Sequence, residues 1–199
     1  MLEQMAKPLE QRVQQSVDEH VIRACQQGDR EAFRQLFEAY KDRVFSIAVY
    51  SLGDETAAAD VTQQIFLKLM TRINQFRGDS EFTTWLYRLV VNSCYDERRK
   101  QRRFLPFVES DPMAKTDKRQ SQERRLARAE AAGSIRKAIG ALKPRMRQPV
   151  LLKYIEGLSY EEIAGVLGCS KGTVASRLNR AHKMLAKRLG HLRKDLMSE

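Results

Sequence analysis

The sequence is poor in cysteine, proline and glycine. Its three cysteines, Cys25, Cys94 and Cys169, are far apart and odd in number, which argues against a disulfide framework and for a reducing compartment. The five prolines and ten glycines are too few for the many turns of an all-β sandwich. No segment approaches the roughly 18 consecutive apolar residues of a membrane span, and the N-terminus, MLEQMAKPLEQRVQQ, lacks the apolar core of a secretory signal. We therefore expect a cytoplasmic protein.

Positive charge is in excess and unevenly placed. The 199 residues carry 36 Lys and Arg against 25 Asp and Glu, a formal net charge of +11. Residues 1–97 have a net charge of −4, whereas residues 98–105 have +5 and residues 131–199 have +9. Clustered positive charge favours a polyanion as partner, either nucleic acid or an anionic membrane surface.

Apolar residues recur at helical spacing through most of the chain, which predicts an all-α fold. We expect a flexible N-terminal extension over residues 1–17 and a first helical domain over residues 18–105. Residues 106–130 contain few large apolar side chains and are predicted to be a flexible linker. Residues 131–199 form a second small helical domain in this interpretation.

Helix-capping residues precede several of these predicted helices. The first helical pattern begins at Asp18, and Asp29 and Asp54 can cap the two helices that follow it. In the second domain, Ser159 and Glu162 have the spacing of a capping box. These positions predict where the helices begin.

The second domain contains the pattern of a helix-turn-helix. A short helix after Ser159 is followed by a turn at Gly168, and Ser170 can cap the next helix. In such motifs the second helix lies in the DNA major groove, where Arg reads guanine and Asn reads adenine. Lys171, like other lysines of this helix, suits a phosphate contact. The alternative is a plain helical hairpin with a cationic surface.

The end of the first domain combines aromatic and basic side chains, which suits stacking and charge neutralisation of single-stranded nucleic acid. Aromatic residues at helical spacing are more often part of a core. The residues concerned are Phe76, Phe82, Trp85, Tyr87 and Tyr95, followed by the basic cluster at 98–103.

Two strings of residues carry a resemblance to a known family. Residues 58–92, AADVTQQIFLKLMTRINQFRGDSEFTTWLYRLVVN, resemble the promoter-reading domain of bacterial sigma factors of the extracytoplasmic-function class. Residues 158–185, LSYEEIAGVLGCSKGTVASRLNRAHKML, resemble the C-terminal DNA-binding domain of the same family. Both strings occur in the family's order. The resemblance implies a protein that binds core RNA polymerase, through its β′ and β subunits, and directs promoter recognition, DNA melting and transcription initiation at a stress or envelope regulon.

The resemblance also implies site residues. The helix that docks on the polymerase β′ coiled coil would use Asp60, Gln63, Gln64 and Phe66. The minus-ten reader would be the loop FRGDS with the following helix, which together receive a flipped base and hold phosphates. Its residues would be Phe76, Arg77, Asp79, Ser80, Trp85, Arg88, Asn92, Arg98, Arg99, Arg102 and Arg103. Trp85 could equally be a core residue that braces the loop.

For the minus-35 element, the resemblance implies contacts from the recognition helix and from one lysine of the preceding helix. The residues at these positions are Lys153, Lys171, Thr173, Ala175, Ser176, Arg177, Asn179 and Arg180. Relatives often carry a basic residue where Ala175 stands, so fewer contacts are expected there. Many relatives are held inactive by an anti-sigma factor that wraps both domains, although nothing in this sequence identifies such a partner.

The linker is long enough to bridge two promoter elements. Its 25 residues can span up to roughly 80 Å at about 3.3 Å per residue. Elements about 16 base pairs apart are separated by roughly 55 Å at about 3.4 Å per pair. We expect such a tether to leave domain orientation free until polymerase fixes it.

Two other classes of function are alternatives to this one. A stand-alone helix-turn-helix regulator would use the first domain for sensing or dimerisation. An enzyme, for example a nuclease using Asp54, Glu55 and Asp60, would need a matching histidine that the sequence does not supply. The histidines show no metal-ligand spacing with the cysteines, so we expect no enzyme activity, cofactor, metal or small-molecule substrate. We also expect no membrane insertion by the basic C-terminal tail.

Overall fold

The computed structural model describes residues 18–104 and 132–196, and side-chain positions for residues 18–101 and 132–190. Every regular element in the two described ranges is helical, which confirms the all-α prediction with two helical domains. The predicted N-terminal extension and the predicted linker at 106–130 lie outside the described residues.

The first three helices of the N-terminal domain begin at aspartate caps, two of which, Asp29 and Asp54, are the predicted ones. In residues 18–104 the elements are α1 (Glu19–Gln26), α2 (Arg30–Leu52), α3 (Glu55–Arg72), a 3-10 turn (Ile73–Gln75) and α4 (Phe82–Phe104). Each of the first three helices follows an aspartate whose carboxylate accepts a backbone N–H of the first turn, namely Asp18, Asp29 and Asp54. Such a cap contributes about 1 kcal/mol.

The core of this domain is built from the predicted apolar stripes. Helix α2 packs against α1, α3 and α4. Full burial of one aliphatic side chain contributes about 1.5–3 kcal/mol relative to exposure. The buried stripe residues are Leu36, Tyr40, Val44 and Ile47 on α2, Val61, Ile65 and Leu69 on α3, and Leu86 and Val90 on α4.

The C-terminal domain contains the predicted helix-turn-helix. Its helices are α5 within residues 132–140, α6 (Pro144–Tyr154), α7 (Tyr160–Leu167) and α8 (Lys171–Leu196). Ser159 and Glu162 form the reciprocal capping box at the start of α7. Gly168 ends α7 with φ at +60°, a left-handed conformation that costs glycine little. The Ser170 hydroxyl accepts the Thr173 N–H at 3.2 Å and caps α8.

The two domains contact each other, so their orientation in this structure is defined rather than free. Helix α4 packs against α7, and α2 packs against α6. The guanidinium of Arg147, 2% exposed, donates to the carbonyl oxygens of Ile139 and Leu142 in its own domain. It also donates to the Ser51 carbonyl of the other domain at 2.5 Å.

Ser51 lies where α2 ends, and helix-terminal carbonyls there lack intrahelical partners and carry partial negative charge. The Gln148 amide donates to the Ser51 hydroxyl at 3.1 Å. Arg98, from α4, donates to the same carbonyl as Arg147 at 2.7 Å. Two cations thus satisfy this helix end, and one of them comes from the opposite domain.

Candidate nucleic-acid interface

Three aromatic rings frame the loop at residues 76–80. The ring centroid of Phe76 is 5.4 Å from that of Phe82 and 5.8 Å from that of Trp85, which are ordinary distances for aromatic pairs. Phe82 is buried, whereas Phe76 and Trp85 are half-buried. Trp85 therefore braces the loop and also keeps part of its surface open, so both of its predicted roles are compatible with its position.

The predicted minus-ten residues of α4 lie mainly on one face. Trp85, Arg88, Asn92 and Arg99 are spaced by 3, 4 and 7 residues, which places them within about 60° around a helix of 3.6 residues per turn. Arg88, Asn92 and Arg99 are exposed. Arg98 lies away from this stripe, half-buried against Ser51.

The remaining predicted minus-ten residues belong to the loop and to the end of α4. Arg77 and Asp79 are exposed, and Ser80 is half-buried. Arg102 and Arg103 continue α4, beyond the residues whose side chains are described. The structure thus places the loop and the α4 stripe on one continuous segment of the domain.

The recognition helix α8 separates a buried stripe from a polar face. Val174, Leu178 and Ala181 are buried against the rest of the domain. The polar face between them carries the predicted minus-35 residues. Ser176, Asn179 and Arg180 are exposed, while Thr173, Ala175 and Arg177 are half-buried.

The two predicted lysine contacts have intramolecular partners. Lys153 donates to the Leu158 carbonyl at 3.3 Å and lies 5.7 Å from the centre of the Tyr160 ring. Lys171 pairs with Glu161, and this hydrogen bond lowers the pKa of the Glu161 carboxyl. Exposed ion pairs of this kind contribute little to stability, so Lys171 can exchange Glu161 for a phosphate at small cost.

A cleft of about 1460 Å³ lies between the domains and is lined by predicted residues of both DNA-reading surfaces. Asn92 and Tyr95 of α4 form one wall, and Arg177, Arg180 and Lys183 of α8 form part of the other. The predicted minus-ten residue Asn92 and the predicted minus-35 residues Arg177 and Arg180 therefore line the same cleft.

Two hydrogen bonds from α4 join the N-terminal domain to the C-terminal domain. Arg88 donates from Nε to the Gly165 carbonyl of α7 at 2.7 Å. The Tyr87 hydroxyl donates to the Glu156 carboxyl across the same interface. Burial raises the pKa of Glu156, although the Tyr87 hydrogen bond and the charge of Arg43 act in the opposite direction. Burial, followed by the charge of Glu156, raises the pKa of Tyr87.

A separate apolar groove of about 450 Å³ runs along α2 and α3. Phe45, Leu67 and Met70 are 36%, 57% and 54% exposed in it. Phe37 and Phe66 form its floor as an edge-to-face pair, with ring centroids 4.7 Å apart. A contiguous apolar patch with a polar rim is typical of a protein-interaction site.

The predicted polymerase-docking residues lie on α3, which forms one wall of this groove. Gln63 and Phe66 line it directly. Asp60 and Gln64 are exposed on α3, and their spacing from Gln63 and Leu67 puts all four on one helical face.

Comparisons with known proteins identify the family. The pattern described as Sigma-70 region 2 matches residues 36–104, and that described as Sigma-70, region 4 matches residues 132–185. The chain is 34% identical over 191 residues to the RNA polymerase sigma-H factor of Pseudomonas aeruginosa, a match that covers 91% of this chain and 98% of that protein. It belongs to the sigma-70 family of sigma factors, in the extracytoplasmic-function class.

Other sigma factors support this identification. The ECF RNA polymerase sigma-E factor of Escherichia coli K12 is 31% identical over 182 residues, covering 86% of this chain and 94% of that protein. The structure of CnrH in complex with the cytosolic domain of CnrY matches with a TM-score of 0.64 at 26% identity, over 86% of this chain and 96% of that chain. The sigma factor RpoE of Bartonella quintana, in complex with the anti-sigma factor NepR, shares the fold with a TM-score of 0.65 at 24% identity. That match covers 79% of this chain and 96% of RpoE.

The comparisons do not favour a stand-alone regulator with its own sensing domain, because the first domain itself matches sigma-70 region 2. No helix within residues 18–104 and 132–196 is long and apolar enough to cross a membrane. In the part of the chain that the structure describes, no group of three or more His, Cys, Asp and Glu side chains is placed to hold a metal ion.

Sequence reasoning missed several residues that shape the sigma-factor surfaces. Gln26 bonds to the minus-ten loop, Tyr87 and Glu156 join the domains, and Arg147 crosses the interface to Ser51. Their partners are 50, 69 and 96 residues away in sequence, so no local pattern announces them.

Proposed function

We propose that this sigma factor binds core RNA polymerase through the apolar groove on α2 and α3 and directs it to promoters. The N-terminal domain then reads and melts the minus-ten element, and the recognition helix α8 contacts the minus-35 element. The observation that carries this proposal is the match of both sigma-70 regions, in order, on domains whose candidate DNA-binding faces are cationic.

Docking through the groove is supported by its chemistry. The exposed side chains Phe45, Leu67 and Met70 lose contact with water when a partner covers them, which stabilises a complex by about 25 cal/mol per Å² of apolar surface. Gln63 and Asp60 at the rim can supply polar contacts that orient the partner. A coiled-coil segment of the polymerase β′ subunit, with an apolar stripe flanked by polar residues, fits such a surface.

Melting is assigned to the loop at 76–80 and the α4 stripe. Extruding a base costs a few kcal/mol, and stacking on an aromatic ring returns about 1–3 kcal/mol per base. Phe76 and Trp85 are half-buried rings that can supply a stacking surface, and the exposed Arg77 and Asn92 can supply polar contacts to a base.

The arrangement with joined domains is proposed to be the form that precedes DNA binding. Elements about 16 base pairs apart lie roughly 55 Å from each other, whereas the predicted reading residues Asn92 and Arg180 line one cleft. The Nε–H of Arg88 is occupied by the Gly165 carbonyl in this arrangement. Simultaneous recognition of both elements therefore requires the domains to separate.

This function places the protein in the cytoplasm beside the polymerase and gives it no catalytic chemistry of its own. An anti-sigma factor is a further proposed partner, because two structurally similar chains were solved with binding proteins, CnrY and NepR. Such a partner would compete for the groove or the cationic faces.

The decisive experiment combines core binding with run-off transcription. Leu67→Asp places a charge in the groove, whereas Thr56→Asp adds the same charge to an exposed site of α3 that does not line the groove. We expect Leu67→Asp to weaken core binding more than tenfold, consistent with the loss of about 1.5–3 kcal/mol of apolar burial plus the cost of a buried charge. Thr56→Asp should behave as wild type.

Run-off transcription with purified core polymerase, scanned over a promoter library, then tests whether the protein directs polymerase to promoters. The wild-type protein should yield transcripts from a limited set of related promoters. Normal core binding by Leu67→Asp would contradict the docking assignment, and the absence of any promoter-dependent transcript would contradict the function.

A further inference from the structure

The loop assigned to minus-ten recognition begins where the 3-10 turn Ile73–Gln75 ends. The Phe76 N–H donates to the Ile73 carbonyl at 3.1 Å and closes this turn. Ile73 is buried and Phe76 is half-buried, whereas Arg77, Gly78 and Asp79 are exposed. The position of the exposed loop is therefore set by how firmly the turn before it is held.

Gln26 holds this turn from a different element. It is the last residue of α1, and its amide nitrogen donates to the Ile73 carbonyl at 3.1 Å and to the Phe76 carbonyl at 2.9 Å. A carboxamide nitrogen carries two hydrogens, so the two bonds use its full donor capacity. The amide thus links both ends of the turn.

The backbone around Gln26 is held by hydrogen bonds at the end of α1 and the start of α2. Helix α1 ends at Gln26, and Gly28, two residues later, has a left-handed φ of +86°. The Asp29 N–H donates to the Ala24 carbonyl at 3.1 Å. The Asp29 carboxylate in turn caps α2 by accepting the N–H groups of Glu31 and Ala32. The donor amide is consequently fixed by two helix ends.

We propose that Gln26 is a positioning residue for promoter melting. By holding the carbonyls of Ile73 and Phe76, it presets the Phe76 ring and the following loop in the geometry that accepts an unstacked base. Ordering a backbone segment at the moment of binding costs conformational entropy, and the Gln26 amide removes that cost from the melting step. This proposal rests on the assignment of the loop to minus-ten recognition.

Gln26 also lies ahead of residues 36–104, the segment that matches sigma-70 region 2. The positioning role therefore adds a residue from outside the matched segment to the melting site. It acts through Phe76 rather than by touching DNA.

The test compares Gln26→Ala with Gln27→Ala in the full-length protein bound to core polymerase. Gln27 is the exposed neighbour of the same residue type and serves as the matched control. Core affinity, closed-complex affinity on duplex promoter, and the rate of strand opening followed by 2-aminopurine fluorescence at the minus-ten element are measured separately. A template with a pre-melted minus-ten segment is measured in parallel.

We expect Gln26→Ala to slow opening of the duplex about tenfold, as the loss of two hydrogen bonds predicts, with core affinity and closed-complex affinity within twofold of wild type. On the pre-melted template the difference between Gln26→Ala and wild type should be smaller, because the bases of the minus-ten segment are already unpaired. Gln26→Glu places carboxylate oxygens against two carbonyl oxygens and should slow opening at least as much. Gln27→Ala should match wild type.

Two outcomes overturn the proposal. An opening rate for Gln26→Ala equal to wild type would show that the amide does not preset the loop, and an equal loss in core binding and opening would show a general structural role. Phe76→Ala tests the assignment of the loop to minus-ten recognition independently of the Gln26 proposal. If Phe76→Ala opens promoters normally, the loop is not the minus-ten reader; if only Phe76→Ala slows opening, the Gln26 proposal alone is wrong.

Discussion

Removing the Tyr87 hydroxyl should loosen the contact between the two domains. Tyr87→Phe keeps the ring, which packs in the N-terminal core at 1% exposure, and deletes only the donor to the Glu156 carboxyl. In the joined arrangement, Glu156 would then remain largely buried without that hydrogen bond. After separation both side chains can reach water, so the substitution penalises the joined form selectively.

The size of the effect follows from the charge state of Glu156. A hydrogen bond to a charged group contributes about 1.5–3 kcal/mol, and a neutral one about 1 kcal/mol. Since about 1.4 kcal/mol corresponds to a factor of ten, the ratio of joined to separated protein should fall about ten- to a hundredfold when Glu156 is ionised. It should fall about fivefold when Glu156 is protonated.

The assay measures both shape and DNA binding of the isolated protein. Small-angle X-ray scattering should give a larger radius of gyration for Tyr87→Phe. Anisotropy with a labelled minus-35 duplex should give tighter binding, because apparent affinity scales with the fraction of binding-competent protein. Tyr154→Phe is the matched control, since the Tyr154 hydroxyl is 2.8 Å from His182 Nε2 within the C-terminal domain.

The reasoning fails if Tyr87→Phe leaves both the radius of gyration and the DNA affinity unchanged. It also fails if Tyr154→Phe produces the same change, because the effect would then reflect a lost hydroxyl in general. Near-ultraviolet circular dichroism of both variants checks that each domain remains folded.

Three further predictions test other parts of the structure. The joined form raises the pKa of Glu156 and therefore binds more protons than the separated form. Lowering the pH toward the ordinary Glu pKa of 4.5 should then favour the joined form and weaken minus-35 binding by the isolated protein. Glu156→Gln should remove this dependence in an anisotropy titration. Replacing Asn179 and Arg180 together by Ala should reduce minus-35-dependent run-off transcription while core binding is spared, and loss of core binding would contradict the division of roles. Ser159→Ala should lower the unfolding free energy of the C-terminal domain by about 1 kcal/mol, measured by urea denaturation, and an unchanged midpoint would mean that the capping box is not stabilising.

The helices themselves could be predicted from the sequence because their signals are local. Asp18, Asp29 and Asp54 cap the helices that follow them, and a cap acts over only three residues. The stripe that includes Val61 and Leu69 is buried as its period predicts. The exposed polar face of α8 follows from the same periodicity.

The position of one domain against the other could not be predicted, because no local pattern encodes it. The Arg147–Ser51 and Tyr87–Glu156 contacts join residues far apart in sequence. The sequence predicts a linker of 25 residues between the domains, and a linker of that length does not by itself select one orientation. The preferred one depends on a few buried polar contacts whose partners become visible only in three dimensions.

The same helix face links the joined arrangement to DNA binding. Arg88 belongs to the α4 stripe assigned to the minus-ten strand, yet it donates to Gly165 when the domains are joined. The Nε–H of Arg88 is committed to Gly165 in the joined form. A DNA contact that needs this same Nε–H would therefore compete with closure, and by linkage each would then weaken the other by the same factor. The groove containing Leu67 and Met70 remains exposed in the joined form. Core polymerase can therefore dock first, and the domains separate afterwards, which would confine promoter binding to protein that is already bound to polymerase.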